Sequence, residues 1–592
     1  MIGFGGRADW SDTKTATLGQ ITRFNSFGGS GYGEASRGEV QVSGMFRVVR
    51  DEGRVLDPSA AAALLLRSWS SGGLAALANI AGHYAVAIWH DRERCLTLLR
   101  SPLSPLPLCV RYDSERAIFG SKAVDLYEAD QNLELSLRVL AGRLTGTSLF
   151  HQISLFPGVA TIAPGTALSI DPAGRSLARF WDPVGHAPVV RSDEAASTRL
   201  REALDQAVAS AMDAFSGPIA CHLSAGRDSA AVTSAAAFHD PSRVIAFTSA
   251  PDASFPQYWD RFALDESPEA AGMAAALGIE HRIIRNPATD FCAQMDALHK
   301  VQNVPMGTPI NLPWWEEVSD DVAKAGGRVL LNGDAGNLTI SMGGPRFLPD
   351  VLRRSGPVAW WRAFREAARS PHASARNLLK FTFAPFVPLQ AYRVVERLAN
   401  RTATVTVNPF LAGDLRRLVE AEPVFEDSRP VADQRLSWQV ALRDYDPSDL
   451  TPEAAHGIVM IDPTADLPVV TAALDLTDDQ LMSPYHQRTI FDLAFGDRLE
   501  TTPGQFARRG IQSADWNHTI DPDNLAAGLR RYCQHSLVEQ LLDTRGMEEA
   551  IKRWPTQVIL DGHEKIYFAN HLLEALALAS FIWVHNPTDL AP

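Results

Sequence analysis

One short stretch of this sequence, residues 223–229 (LSAGRDS), brings together residue types that bind phosphate. The small residues at 224–226 let backbone N–H groups approach an anion closely, and the hydroxyl groups of Ser224 and Ser229 can donate hydrogen bonds. The carboxylate of Asp228 would repel bare phosphate, but it suits Mg²⁺, which takes one or two carboxylates and leaves its other positions to phosphate and water. The pattern therefore predicts a magnesium-assisted cradle for pyrophosphate. A serine-rich turn without a ligand is the alternative interpretation, because short Gly/Ser motifs also occur by chance.

Apolar segments on both sides of this stretch indicate the elements that hold it. PIACHL (218–223) is typical of a strand, the Ala-rich residues that follow the turn are typical of a helix, and RVIAFTSA (243–250) is typical of the next strand. That order indicates a right-handed βαβ unit of a doubly wound parallel sheet, with the N-terminus of the helix facing the anion. RVLLNGDAGN (328–337) repeats the change from strand to loop. Because the later segments are largely helical, we expect an α/β domain with additional helices.

The N-terminal part of the chain has a different sequence pattern. From about residue 39 to residue 182, strand-length apolar runs alternate with Gly, Pro, Asp and Ser, which predicts a β-rich region with one amphipathic helix at 58–69. A long helical periodicity begins at Ser192. We therefore expect two domains, at 1–190 and 191–592.

Composition narrows the class of protein. The chain has 592 residues, of which 46% are hydrophobic and 21% charged, as in soluble globular proteins of several domains. Its net charge of -14 argues against nucleic acid or anionic lipid as the main partner. The five cysteines and the sixteen histidines show no metal-ligand spacing, so neither a disulfide framework nor a transition metal is predicted. The apolar run at 572–584 is too short to cross a bilayer and the N-terminus lacks a secretory signal, so we expect a cytoplasmic protein without a membrane span.

Four segments resemble the asparagine synthetase superfamily of PP-loop ATP pyrophosphatases, whose first loop reads SGGxDS. They follow one another in the family's order: LSAGRDS (223–229), DESPEAAGMAAALGIEH (265–281), LLNGDAGN (330–337) and HGIVMIDPTADLPVVTAALDL (456–476). The resemblance implies a synthetase domain of the adenine nucleotide α-hydrolase type that uses ATP and Mg²⁺. Asp265 and Glu266, in the second segment, are expected to support the nucleotide-binding sheet, and an indirect role behind the magnesium ligands is the alternative.

The N-terminal part is similar to the glutaminase domain of the same superfamily, an Ntn-type β-sandwich. The segments that carry this likeness are residues 82–112, 117–126, 163–170 and 179–183. Glutaminases of this class need cysteine as residue 2, where processing exposes a thiol beside its own α-amine. Residue 2 is Ile2, and the family's Arg-Asp-Pro run appears here as Arg100, Ser101 and Pro102. We therefore expect a glutaminase-like domain that lacks the nucleophilic cysteine and is retained as a scaffold, so that the amine comes from elsewhere.

The synthetase loops also depart from the common pattern of the superfamily. Asn337 stands where the family has a second magnesium-binding Asp. Asp334 occupies the position of a glutamate in asparagine synthetases and of a catalytic tyrosine in β-lactam synthetases. Val459 replaces the glutamate that completes the dyad with that tyrosine, which argues against β-lactam formation. The segments that resemble instead the lasso peptide cyclases, or macrolactam synthetases, of proteobacteria are residues 337–341, DPTAD (462–466) and RRGIQSADW (508–516).

The resemblance to those cyclases implies roles for individual residues. Asp334 is the candidate general base for the incoming ammonium, and a carboxylate that only caps the loop is the alternative. Arg509, with Arg508 as the alternative, falls where the superfamily has a lysine that steadies the acyl-phosphate transition state, although a solvated surface arginine also explains it. Asp228 and Asn337 are the expected Mg²⁺ ligands. The expected ATP contacts are Leu223, Ser224, Ala225, Gly226, Arg227, Asp228, Ser229, Ser249, Asn332 and Gly333.

Together these features imply an ATP-dependent carbon–nitrogen ligase that releases AMP and pyrophosphate. In the resembling cyclases, ATP adenylates the side-chain carboxylate of an Asp or Glu in a precursor peptide, and the N-terminal amine of that peptide closes a macrolactam ring. A tethered amine needs no glutaminase, because the tether raises its effective concentration. The expected partners are the precursor peptide and a leader-cleaving protease. Two alternatives stay open: a ligase that joins a small carboxylic acid to free ammonia, and a non-catalytic partner that binds nucleotide or peptide.

Overall fold

Antiparallel sheets form the N-terminal region of the chain, and a parallel sheet forms the centre of the C-terminal region. The computed structural model describes residues 4–9, 30–127, 134–145, 153–183, 186–259, 262–285, 288–302, 304–342, 348–369, 374–388, 391, 407–420, 447–481, 489–499, 509–559 and 562–585. Residues 2 and 508, which carry two of the sequence-based expectations, lie outside the described residues.

The N-terminal region contains two large antiparallel sheets. Its strands are β1 Gly5–Asp9, β2 Ser30–Arg37, β3 Val40–Arg47, β4 Arg50–Asp51, β5 Arg54–Val55, β6 His83–His90, β7 Cys95–Arg100, β8 Cys109–Tyr112, β9 Arg116–Gly120, β10 Val159–Thr161, β11 Thr166–Asp171 and β12 Gly174–Arg179. One sheet has the strand order β1-β9-β8-β10, and the other has the order β12-β11-β7-β6-β3-β2. Strands β4 and β5 form a separate short ribbon. The region is β-rich, as the sequence predicts.

The side chains of β6 alternate between two apolar clusters, which shows how the layers of this region pack. Ala85, Ala87 and Trp89 face a core shared by the two sheets, whereas the residues between them face helix α1 (Pro58–Leu77), because successive side chains of a strand point to opposite faces. Asp57 caps α1 by accepting from the N–H of Ala60. The helix is longer than the predicted 58–69 and continues past a kink at residue 73. A sandwich of two sheets with one covering helix results.

The C-terminal region is built on a parallel sheet with the strand order β17-β14-β13-β18-β19. Its strands are β13 Ile219–His222, β14 Val244–Ala250, β17 Glu280–Arg285, β18 Val329–Leu331 and β19 Val459–Ile461. Apolar clusters cover both faces of this sheet, as in a doubly wound fold. A small accessory sheet consists of β15 Tyr258–Trp259, β16 Phe262–Ala263 and β20 Arg509–Gly510. The parallel βαβ arrangement therefore agrees with the sequence-based prediction.

Helices surround the parallel sheet and extend to the C-terminus. They are α2 Leu137–Arg143, α3 Asp193–Asp213, α4 Arg227–His239, α5 Ser267–Leu277, α6 Phe291–His299, α7 Leu312–Lys324, α8 Leu348–Ala367, α9 Ala375–Phe383, α10 Gly413–Glu420, α11 Pro447–His456, α12 Leu467–Leu474, α13 Asp478–Leu481, α14 Thr489–Leu499, α15 Trp516–Thr519, α16 Pro522–Tyr532, α17 Ser536–Leu541, α18 Thr544–Lys552, α19 Gly562–Lys565 and α20 Leu573–His585. Short 3₁₀ turns lie at Val124–Leu126, Pro241–Arg243, Pro309–Asn311, Gly336–Leu338, Ala384–Phe386 and Pro463–Ala465. A π-helical turn, Ile566–Leu572, joins α19 to α20.

The last helical run, His563–His585, is long and apolar enough by length and composition to cross a membrane, and it is the one such helix in the described part of the chain. Its length exceeds the apolar run at 572–584 that the sequence suggests, because the π-helical turn continues it towards the N-terminus. However, 67% of its most apolar part is buried inside the protein, and Leu576, Phe581 and Ile582 are fully buried. The run packs as a core helix.

Candidate active site

The loop between β13 and α4 is held in shape by its own serine hydroxyls. The Oγ atoms of Ser224 and Ser229 lie 2.9 Å apart, and Oγ of Ser229 accepts from the N–H of Ser224 at 3.1 Å. The N–H of Gly226 donates to Oγ of Ser224 at 3.0 Å. Gly226 is the N-cap residue of α4 and supplies no side-chain cap, so the first N–H groups of this helix face the loop. The loop is therefore pre-organised at a helix end that favours anions.

A second loop packs directly against the first turn of α4. A Cβ atom at Gly336 would lie 2.6 Å from Oδ1 of Asp228, and one at Gly333 would lie 2.9 Å from the carbonyl carbon of Asp228. Only glycine allows so close an approach at these two positions. The contact brings Asp228 next to the loop that carries Asp334 and Asn337, whose side chains are exposed. The structure therefore brings together three of the residues that the sequence assigns to the site.

Asn332 and Asp334 form a pair at the end of β18. Asn332 is 2% exposed, and its Nδ2 donates to Oδ2 of Asp334 at 3.0 Å. The backbone N–H of Asn332 donates to the carbonyl oxygen of Ile461, which ties the loop to β19. An exposed carboxylate beside an amide can accept a proton from a substrate ammonium, and it can equally serve as a loop cap. Both interpretations of Asp334 therefore remain compatible with the geometry.

Asp462 organises this second loop from the neighbouring strand. Its Oδ2 accepts from the N–H of Ala335 at 2.8 Å, and its Oδ1 accepts from the N–H of Thr464 at 2.9 Å and from the hydroxyl of Thr464. No individual role for Asp462 follows from the sequence-based assignment of the site. Its position before proline and threonine does signal an Asx-type turn, because Asp side chains commonly accept a backbone N–H two residues ahead.

Glu266 connects the phosphate-loop candidate to the accessory sheet. Its carboxylate accepts a hydrogen bond from the backbone N–H of Ala225. A Cβ at Gly510 in β20 would overlap that carboxylate, so Glu266 fills the space between the loop and β20. Burial, and then the charges of Glu269 and Asp265, raise the pKa of Glu266 to about 7. Its role is therefore more specific than the sheet support expected from the sequence.

Three further expected ATP contacts lie around the ends of the parallel strands. Leu223 is 2% exposed, and its N–H donates to the carbonyl oxygen of Phe247 at 2.8 Å. Its backbone therefore continues the pairing of β13 with β14 by one residue. Ser249 lies in β14, in register with Ile284 of β17. The guanidinium of Arg227 pairs with Asp492 of α14 at 2.6 Å, which directs its charge towards that helix.

Arg509, the candidate phosphate-stabilising residue, begins β20. The backbone of β20 runs parallel to β16, with Arg509 in register with Phe262. Its side chain, like the whole of Arg508, lies outside the described residues. The carboxylate of Glu266 lies between Gly510 of β20 and Ala225 of the first loop. The strand that carries Arg509 is therefore separated from the first loop by a single side chain.

Family comparison identifies the larger group to which this arrangement belongs. A family model described as asparagine synthase matches residues 199–577, more than half of the chain. The chain belongs to the asparagine synthase family. A second model, described as a glutamine amidotransferase domain, matches residues 47–181. The two matches support an ATP-dependent ligase of the asparagine synthetase kind whose N-terminal domain is of the amidotransferase type.

Similarity to solved structures is weaker. Glutamine phosphoribosylpyrophosphate amidotransferase from B. subtilis, complexed with ADP and GMP, is 12% identical with a TM-score of 0.16, over 42% of this chain and 46% of that chain. A structure of the allosteric regulatory enzyme of purine biosynthesis is 11% identical with a TM-score of 0.17, over 48% of this chain and 65% of that chain. The chain thus spans about half of the first protein and less than two thirds of the second. At these scores the two structures add nothing to the family assignment, and no curated protein matches the chain.

Proposed function

We propose that this protein is an ATP-dependent amide-forming ligase of the lasso peptide cyclase type. It adenylates the side-chain carboxylate of an Asp or Glu in a precursor peptide and closes a macrolactam ring with the N-terminal amine of the same peptide. The observation that carries the proposal is the close packing of Gly336 and Gly333 against Asp228, which joins the pre-organised serine loop to the loop bearing Asp334. Membership of the asparagine synthase family supports the ATP-dependent chemistry.

The cysteines give independent support for an amine that does not come from glutamine. Thiol attack needs a thiolate, which forms readily only where the pKa is low. Burial raises the pKa of Cys95 and Cys533, and raises those of Cys221 and Cys292 to about 12. Cys109 is buried. None of these five thiols is suited to release ammonia, so an amine carried by the substrate itself fits the chain better.

Arg100 and Ser101, which stand where the family has its Arg-Asp-Pro run, make structural hydrogen bonds instead. The guanidinium of Arg100 is fully buried and donates to the carbonyl oxygens of Ile162 and Ser104, at 2.7 and 2.6 Å. Oγ of Ser101 accepts from the N–H of Tyr84 at 2.9 Å. These groups are committed to the backbone of the sandwich, which supports the interpretation of the domain as a scaffold.

The oxygen donors around Asp228 fit a magnesium ion. The carboxylate of Asp228 lies against Gly336, and the next residue, Asn337, offers an amide oxygen on an exposed side chain. Hard cations such as Mg²⁺ prefer oxygen ligands of this kind, although an amide is a weaker ligand than the carboxylate usual in the family. Magnesium, when bound, would neutralise negative charge on the phosphate oxygens.

The proposed reaction has two steps. The substrate carboxylate attacks the α-phosphorus of ATP, the α–β phosphoric anhydride bond breaks, and pyrophosphate leaves into the loop formed by Ser224, Gly226 and Ser229. The amine then attacks the acyl carbon, an amide bond forms, and AMP leaves. In this second step Asp334 takes the proton from the ammonium so that a free amine can attack. Positive charge on Arg509 would stabilise the transferring phosphate group electrostatically.

Mass spectrometry of candidate peptides tests this function. Purified protein is incubated with Mg-ATP and short peptides that carry a free N-terminal amine and an internal Asp or Glu. We expect ATP-dependent loss of one water from the right peptide, with AMP and pyrophosphate as products, and no reaction with Asp228→Ala. Asp497→Ala is the matched control, because Asp497 is an exposed carboxylate that pairs with Arg201. Release of ADP, or full cyclisation by Asp228→Ala, would contradict the proposal.

A second function is favoured by the family match itself. A ligase that joins free ammonia to a small carboxylic acid uses the same adenylation chemistry, and incubation with ATP, aspartate and ammonium tests for it through the formation of asparagine. Cyclisation without such a product supports the peptide substrate. We further propose a leader-cleaving protease as a partner. We also propose a cytoplasmic location, since the five free thiols suit a reducing compartment.

A further inference from the structure

Residues 47–50 (Arg-Val-Val-Arg), the RVVR turn, join β3 to β4 in the N-terminal domain. Val48 has a φ of +51°, a left-handed conformation that a β-branched residue adopts only when its surroundings enforce it. Gly82 packs against the turn, since a Cβ there would lie 2.5 Å from the carbonyl oxygen of Val48 and 2.6 Å from Cα of Val49. The RVVR turn is therefore strained and closely confined.

The side chains of Arg47 and Val48, in the first half of the RVVR turn, contact the C-terminal domain. The side chain of Val48 packs in the apolar cluster that also contains Leu200 of α3. Arg47 is 1% exposed, and its guanidinium forms an ion pair with Glu453 of α11 and donates to the carbonyl oxygen of Met460 in β19 at 3.5 Å. A cation from the N-terminal domain is thus buried at β19, the strand that leads to Asp462.

Arg50 contacts the segment that follows the same strand. Its Nη2 donates to Oδ2 of Asp466, and the two side chains are only 4% and 11% exposed. Asp466 is the N-cap residue of α12, yet its carboxylate makes no capping hydrogen bond. The carboxylate is committed to Arg50 instead. Because loss of one partner leaves the other charge buried and uncompensated, each side chain restrains the position of the other.

Few residues separate this ion pair from the candidate active site. The 3₁₀ turn Pro463–Ala465 lies between Asp462 and Asp466, and it packs against α4, which begins at the serine loop. Asp462 accepts from the N–H of Ala335 in the second loop. A displacement of Asp466 would therefore reach both loops through a single turn of chain.

We propose that Arg50 is a positioning residue for the nucleotide site, with Arg47 as a second anchor. The N-terminal domain, although it lacks glutaminase chemistry, thereby fixes the turn at 463–465 and, through Asp462, the loop at 333–337. This inference rests on the proposed function, because it assumes that ATP binds at these loops. It adds a role for the amidotransferase-like domain in a reaction that uses no glutamine.

Replacement of the whole ion pair gives a test that preserves folding. Arg50→Met together with Asp466→Leu exchanges both charges for apolar side chains, so that neither partner is left as an uncompensated buried charge. Arg282→Met with Asp321→Leu is the matched control, because that pair joins β17 to α7 at 2.9 Å on another part of the sheet. Thermal unfolding, affinity for Mg-ATP by equilibrium dialysis, and hydrogen exchange of the amides at 335–341 are measured on the full chain.

We expect the Arg50/Asp466 double variant to stay folded, to bind Mg-ATP about ten to a hundred times more weakly, and to exchange the amides at 335–341 faster. The control pair should change neither ATP affinity nor exchange at 335–341. Arg50→Lys, which keeps the charge but not the planar fork, should give intermediate exchange rates, and it provides the same comparison if the double variant does not fold.

The possible results separate this inference from the proposed function. A folded variant at Arg50 with unchanged exchange at 335–341 overturns the positioning role, whether or not ATP binds. Wild-type protein that fails to bind Mg-ATP refutes the proposed function instead. In that case the hydrogen-exchange comparison, which needs no nucleotide, still decides whether Arg50 holds the second loop.

Discussion

Substitution of Gly336 by alanine tests the contact between the two loops of the candidate site. The backbone of Gly336 lies in a 3₁₀ turn and not in the left-handed region, so alanine can adopt its conformation. The new methyl group, however, would lie 2.6 Å from Oδ1 of Asp228 and closer still to Cγ. Ordinary carbon contacts are about 3.5–4.0 Å, so the loop and Asp228 must separate by roughly 1 Å. The variant therefore displaces one carboxylate without removing it.

The expected effect on function is much larger than the effect on stability. A misplacement of about 1 Å at a reacting centre can reduce activity about a hundredfold. Crowding of this kind destabilises a protein by about 1–3 kcal/mol. We therefore expect Gly336→Ala to remain folded, to require more Mg²⁺ for half-maximal ATP binding, and to lose about two orders of magnitude in kcat/KM for ATP.

Titration calorimetry with Mg-ATP at several Mg²⁺ concentrations, together with AMP release, measures both effects. Gly272→Ala is the matched control, because Gly272 lies in α5 and a Cβ there would meet no atom within 4 Å. That control should be unchanged in ATP binding and more stable by up to about 1 kcal/mol, since alanine favours helix. If Gly336→Ala binds Mg-ATP as the wild type does, Asp228 does not act at the place where the two loops meet.

Three further predictions concern buried carboxyl groups. Burial raises the pKa of Glu266 from 4.5 to about 7, so the native state loses stability as pH rises from 4.5 through 7. In urea unfolding, Glu266→Gln should match the wild type at pH 4 and exceed it by about 3 kcal/mol at pH 8. Equal curves at both pH values would refute this. Burial likewise raises the pKa of Glu574 to about 8, so Glu574→Gln should be more stable than the wild type by up to about 5 kcal/mol at pH 9 and equally stable at pH 4. A pH-independent gain would indicate packing instead. Asp462→Ala removes the acceptor of the Ala335 N–H and should cost about 1–3 kcal/mol and speed hydrogen exchange at Ala335; unchanged exchange there would show that this bond does not hold the loop.

Features that depend on neighbouring residues could be predicted from the sequence. The serine loop at 223–229 lies between β13 and α4 as expected, because turn chemistry, helix start and strand pattern are all local signals. The beginning of α3 is of the same kind: Ser192 accepts from the N–H of Ala195 at 3.3 Å, as an N-cap serine should. Parallel pairing of β13 with β14 follows from the strand–helix–strand order of this segment.

Contacts between distant segments could not be predicted in this way. Glu266 lies in a segment that the sequence assigned to sheet support, and its real neighbours, Ala225 and Gly510, come from two other segments. The Asp-Pro-Thr string at 462–464 indicates a local turn, but the bond from Asp462 to Ala335 spans 127 residues. Which acceptor a buried N–H finds depends on how strands order themselves in the sheet, and that order is a property of the whole fold.

Two residues of the N-terminal domain combine a strained backbone conformation with a contact to the C-terminal domain. Val48 and Leu103 both have left-handed backbone conformations, with φ of +51° and +57°, and such conformations cost about 1–3 kcal/mol each unless the surroundings enforce them. Both side chains pack against the C-terminal domain: Val48 in the cluster with α3, and Leu103 against residues of α12. At these two residues the strain therefore lies at the interface with the C-terminal domain, where burial compensates it. The packing of these two side chains against α3 and α12 therefore accounts for the two strained turns.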